Sequence, residues 1–205
     1  MNSMLRKSAL GIAGLAIAGG LAAGPLNHDS TTTAVDTPAV DAPPVAAAVQ
    51  ADKQADKPDM ATLIPHGTQG TQSRIGLSGE QVDNAQAIVA ATKKAGMDER
   101  AAVVAIATSL QESKLENLGH LGERNDHDSQ GLFQQRPSSG WGTVEQITDP
   151  EYSTTAFLKG LKQVDGWQDM PLTEAAQTVQ VSAYPFHYAQ WETQAADLVA
   201  EHWNS

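Results

Sequence analysis

The residue in this chain best suited to acid–base chemistry is Glu112. It follows the run "AAVVAIATSL" as the middle residue of "QES". At 100° per residue it falls on one stripe with Ala101, Ala105 and Thr108, small residues that let another element or a ligand come close. A helix that is apolar on every side is buried, so a carboxyl at its end is partly withdrawn from water. Desolvation disfavours the ionised form, and so does the negative end of the helix dipole. Both raise the pKa. A carboxylic acid that keeps its proton near neutral pH can protonate a leaving oxygen, the step that glycoside cleavage requires. The ordinary alternative is a glutamate turned to water at a helix end. Glu116 competes for the role but sits in the polar exit.

A glycosidase that also uses a carboxylate nucleophile needs a second carboxyl about 5 Å away, and an inverting one needs a somewhat larger gap. Asp126 and Asp128 in "NDHDSQ" are the nearby candidates; the alternative for both is a loop carboxylate solvated or held in an Asx-turn. The same six residues alternate Asp, His and Asp. They lack the glycine and terminal glutamate of a calcium loop, and the six histidines show no zinc spacing. No metal and no cofactor are expected. Trp141, flanked by Gly140 and Gly142, can stack on a sugar face or anchor its loop to the core. Arg136 can bind a ligand or pair with the surplus of acids. For His187, Tyr188 and Trp191, helix packing is the expected role.

Helices must position these groups. Ser78 and Gln81 form a capping-box pattern, and the apolar period from Val82 to Ala95 ends at Gly96. Asp98 caps a second helix over 99–113. The stretch "ENLGHLGERNDHDSQGLFQQRPSSGWGT" has little helical period and predicts a long polar loop, with a short β-hairpin at most. Asp149 and Pro150 start a third helix that runs through Leu161. A fourth starts near Thr173 and covers Val181 before Pro185 interrupts it, and a last one carries Tyr188 to Trp203. The expected fold is mainly α, a domain over 75–205 with a long polar loop in its middle.

Ahead of it, residues 1–24 pair Arg6 and Lys7 with a short apolar run ending in small residues, the pattern of an export signal or an N-terminal anchor. Residues 25–74 are rich in Ala, Pro, Thr and Asp without aromatics, and read as a disordered linker. Every Trp, Tyr and Phe lies at Phe133 or later, which assigns the core to the C-terminal part. With no cysteine, an exported chain holds its fold by packing alone, which favours a bacterial secreted protein. The formal charge of −11 disfavours polyanions, so nucleic acid is not an expected partner, and a neutral polymer or a cation is easier to accept.

Three ordered pieces resemble the lysozyme-like superfamily, in particular lytic transglycosylases and related actinobacterial secreted cell-wall hydrolases. They are Glu112-Ser113 at a helix end, "GLFQQRPSSGWGT" beginning nineteen positions later, and "AQTVQVSAYPFHYAQW". The resemblance implies a lysozyme-like fold and cleavage of the β-1,4 bond between N-acetylmuramic acid and N-acetylglucosamine in peptidoglycan glycan strands. Glu112 would be the general acid and base. Gly131, Leu132, Phe133 and Gln134 would line the sugar site, and Tyr184 would support the acid or the acetamido group. Ser129 stands where animal lysozymes carry a second carboxylate, which tilts the expectation toward a single-acid scheme. Pro185 departs from the asparagine usual after that tyrosine. The resemblance also leaves room for a non-catalytic peptidoglycan-binding or envelope-interaction module. The protein is expected outside the cytoplasm or on the envelope, as a monomer. Membrane contact is expected only through an uncleaved N-terminal segment.

Overall fold

A computed structural model of the chain describes residues 57–182 and 185–205. The expected export signal, most of the expected linker, and Tyr184 lie outside the described residues. The described chain is mainly helical: α1 (Met60–Leu63), α2 (Gly79–Lys94), α3 (Glu99–Ser113), α4 (Val144–Ile147), α5 (Pro150–Leu161), α6 (Leu172–Gln180) and α7 (Glu192–His202). Among the described residues the only β pairing is an isolated bridge between Gln130 and Gln135, so the middle loop forms no hairpin of named strands.

The caps explain the helix starts. Ser78 and Gln81 close a full capping box on α2, and Asp98 accepts from the Ala101 amide at 3.0 Å at the start of α3. Asp149 does the same for α5, with Pro150 in its first turn. α6 is one residue shorter than its apolar pattern suggests. Val181 adopts a left-handed conformation (φ 51°) and ends the helix before Pro185 is reached.

α3 is the axis of the domain. Every residue from Arg100 to Leu110 is buried, and α1, α2, α5, α6 and α7 all pack on it. Four alanines at 101, 102, 105 and 107 keep its surface low, so those neighbours approach closely enough to exclude water.

The boundary expected at residue 75 is corrected. Asp59 caps α1, Leu63 is fully buried, and the backbone of Ser73 donates to the Gln190 carbonyl at 2.7 Å. Composition alone assigned 57–74 to a linker because the segment has little apolar surface of its own. Side-chain amides and backbone pairing hold it to the domain instead.

The four-residue turn 131–134 inside the bridge carries Phe133 into the core, stacked on Phe157 with ring centroids 5.1 Å apart. Gly131 has φ +77°, and a Cβ there would stand 2.0 Å from the Ile147 carbonyl oxygen. Gly131→Ala therefore meets both left-handed strain and a backbone clash. It is expected to destabilise the domain by about 3 kcal/mol, read as a lowered urea midpoint at unchanged slope. A loss below about 1 kcal/mol would contradict this close approach.

Candidate active site

Glu112 stands in the last turn of α3, where the fully buried helix first reaches a cleft: Leu110 has no exposure, while Gln111 and Glu112 are half-buried. The helix stops abruptly because Lys114 and Leu115 both adopt left-handed backbone angles, φ 59° and 63°. For non-glycine residues that costs roughly 1–2 kcal/mol each. Two buried amides of α2 hold the exit in place. Gln81 Nε2 donates to the Lys114 carbonyl at 2.7 Å, and Asn84 Nδ2 donates to the Leu115 carbonyl at 2.9 Å. Ser113, the partner of Glu112 in the motif, donates from Oγ to the Leu132 carbonyl at 2.9 Å. That bond ties the acid-bearing helix end to the turn 131–134.

The carboxyl itself is oriented from the opposite side of the sequence. Tyr188 is fully buried, and its hydroxyl donates to Glu112 Oε1 at 2.7 Å. Tyr188 belongs to a short 3-10 turn, Tyr188–Trp191, that also anchors the neighbouring residue. Gln111 Oε1 accepts from Trp191 Nε1 at 2.9 Å and from Gln190 Nε2 at 3.1 Å. The N-terminal segment braces this turn in its own right. Gln72 Nε2 donates to the Ala189 carbonyl at 3.0 Å, and Ser73 Oγ to Gln190 Oε1 at 2.7 Å.

A cleft of about 760 Å³ opens beside Glu112. Asp126, Ser129, Phe133, Gln134 and Trp141 border it together with Glu112; Arg136, Gln180, Val181 and Ser182 complete much of the remaining wall. Not every expected site residue takes part. Leu132 is fully buried in the core, and Gly131 is packed against Ile147, so neither borders the cleft. Asp128 is also absent from its wall. Its two oxygens accept from the amide and hydroxyl of Ser138, each at 2.8 Å, and these bonds hold its carboxyl below the usual carboxylate range. Its role is to close the loop, as an Asx-type carboxylate does.

Glu112 and Asp126 have opposite electrostatic environments. Burial pushes the Glu112 carboxyl above the ordinary carboxylate range, and the nearby Asp126 charge adds to the push. Hydrogen bonds from Tyr188 and Gln180 and the Lys114 ammonium oppose it without reversing the direction. Lys114 is itself shifted down by burial, and its Nζ donates to the Leu110 carbonyl at 2.9 Å, covering the carbonyl end of α3. Asp126 is exposed and held below its usual range, first by the His127 hydrogen bond at 2.7 Å and then by Arg136. Arg136 in turn donates from Nε to Ser129 Oγ at 2.9 Å. One protonatable acid and one persistently ionised carboxylate thus border a single cleft, a division of roles suited to acid-assisted bond cleavage.

Two residues of this arrangement were not anticipated in these roles from sequence. Tyr188 carried only the expectation of helix packing. The signal that it does more is general: a buried tyrosine hydroxyl needs a partner. Gln180 offers no such signal, because nothing in its neighbourhood marks one amide of α6 over another. Tyr188→Phe is expected to raise the Glu112 pKa further, since it removes a hydrogen bond that favours the charged form. A carboxyl ¹³C titration of labelled protein checks this, and an unchanged or lowered value would contradict the assigned contact. No group of three or more His, Cys, Asp or Glu that could hold a metal ion occurs among the described residues.

No protein-family model matches the sequence, and a search of curated proteins returns no match.

Proposed function

We propose that this chain cleaves the β-1,4 bond between N-acetylmuramic acid and N-acetylglucosamine in peptidoglycan, on a lysozyme-like helical scaffold, with Glu112 as general acid. One observation carries the reading. A carboxyl whose pKa burial raises is oriented by Tyr188 at the edge of a cleft of about 760 Å³. The polar groups of the cleft wall and the three motif pieces agree with a glycan substrate.

In the single-acid scheme Glu112 gives its proton to the glycosidic oxygen as the C1–O bond breaks. The acetamido oxygen of the same sugar bonds to C1 and relieves the cation-like centre. The Glu112 carboxylate then takes the proton of the C6 hydroxyl, whose oxygen displaces the acetamido oxygen at C1 and leaves an anhydro end. Ser129 in place of an acid favours this scheme.

A second reading draws on Asp126, which is ionised and borders the same cleft. Acting as base on a water molecule, it would turn the reaction into hydrolysis. Its two oxygens, however, are already engaged by His127 and Arg136.

Mass spectrometry of fragments released from purified walls separates the readings. Anhydro ends support the single-acid scheme, and reducing ends lost in Asp126→Asn support hydrolysis. Wall binding without any fragments would replace both with a non-catalytic binding module, and no wall affinity at all would end the proposal.

A further inference from the structure

Beside the main cleft lies a recess of about 270 Å³ lined by Gly140, Trp141, Tyr152, Thr155, Ala156 and Lys159. Four of these six come from α5 at positions i, i+3, i+4 and i+7, a single stripe along one helix face. An aromatic ring stands at one end of the stripe and an ammonium at the other. The small side chains of Thr155 and Ala156 between them form the floor. The two ends are seven residues apart, which is about 10 Å along the helix. The Trp141 loop makes the remaining side. Its seat is tight, since a Cβ on Gly142 would come within 3.0 Å of Tyr152 Cε1, which sets the tyrosine ring against the loop backbone.

Three observations point to an occupant. The volume is below the 300–1,000 Å³ typical of a pocket that holds a whole ligand, so the recess suits part of a larger molecule. Trp141 also borders the main cleft, so the rest of that molecule has a place to lie. Charge supplies the third. Among the described residues Lys159, like Lys57, Lys93, Arg124 and Lys162, has no carboxylate partner, and it is the one of these cations that lines the recess. Glu151, the acid on the same helix, is engaged by Lys94. In a chain of net charge −11, an uncompensated ammonium at the end of an aromatic-walled recess attracts an anion attached to an apolar or sugar-like body.

We infer that this recess is a second subsite that takes a carboxylate-bearing peptide branch of the polymer whose sugar backbone occupies the main cleft. The inference rests on the glycan reading above. Trp141 divides the two parts of the ligand, and Lys159 meets the carboxylate of the branch.

The test compares KM and kcat on wall glycan oligomers carrying stem peptides with those on the same oligomers stripped of peptide, for wild type, Lys159→Gln and Lys159→Glu. Where only binding is seen, Kd replaces KM. The expected result is a rise in KM on the peptide-bearing oligomers of about 3- to 5-fold for the glutamine variant and more for the glutamate variant. kcat and all values on stripped oligomers should stay unchanged. KM unmoved in both variants would overturn the subsite while leaving the glycan reading intact. An equal rise on both substrates would also overturn it, because the ammonium would then be acting on the sugar backbone that the two oligomers share. Wild type that neither binds nor cleaves either oligomer would remove the glycan reading and the subsite together.

Discussion

Replacing Glu112 with glutamine is expected to lower turnover of wall glycan by roughly 10²–10⁴-fold and to stabilise the folded domain at neutral pH. The two effects have one cause. Glutamine preserves the shape of the side chain and an oxygen for the Tyr188 hydroxyl, but it carries no transferable proton. The free carboxyl titrates near 4.5, and burial raises it in the folded protein. Between those two values the folded state retains a proton that the unfolded chain has released. Stability therefore falls as pH rises through the window and stays lower above it. The amide does not titrate, so its Tm advantage should be absent below about pH 4.5 and grow as pH rises toward the folded pKa. Thermal unfolding across pH, paired with fragment release from walls, reads both effects. A variant that keeps its activity, or one less stable than wild type at pH 7, would show that the carboxyl is neither the acid nor a desolvated group.

The second large effect lies away from the cleft. Arg100 and Glu192 form an ion pair at 2.7 Å with side chains only 4% and 2% exposed. Arg100 Nη1 also donates to the Leu63 carbonyl at 2.8 Å, so a single guanidinium joins α1, α3 and α7. Its Nε and Nη2 have no partner, which makes the carboxylate its chief compensation. Glu192→Ala would leave a buried charge with little more than one carbonyl. The expected loss is about 3–5 kcal/mol, a large share of a typical domain's stability. Replacing both residues together, Arg100→Met with Glu192→Leu, should recover most of it, because the desolvation penalty leaves with the charge. Urea unfolding of the two variants and the wild type measures this. A single-variant loss under about 1 kcal/mol would mean that water reaches the guanidinium.

This ion pair also marks where sequence reading stops. The residues are 92 positions apart, and neither departs from what an exposed helix surface would carry. Tyr188 and Glu112 are 76 positions apart and raise the same difficulty. Residues 57–74 illustrate a related limit. Composition measures how much apolar surface a segment can bury, and this one has little beyond Leu63. Its attachment runs through Gln72, Ser73 and backbone groups, and Arg74 adds an ion pair to Asp197. Hydrogen bonds of this kind depend on what stands opposite, which composition does not record.

Local chemistry was legible in the sequence because its causes lie within a few residues. The caps at Ser78, Asp98 and Asp149, the buried character of 101–110, and the placing of a carboxyl at the end of that helix all follow from neighbours in the chain. The tertiary structure decided which groups meet that carboxyl. It turned Asp128 onto Ser138, brought Asp126 to the cleft, sent Leu132 into the core, and delivered a tyrosine hydroxyl from a distant turn. Helical period and capping are short-range effects that one stretch of chain can satisfy alone. The direction in which a loop carboxylate points depends on partners that only folding brings within about 3 Å.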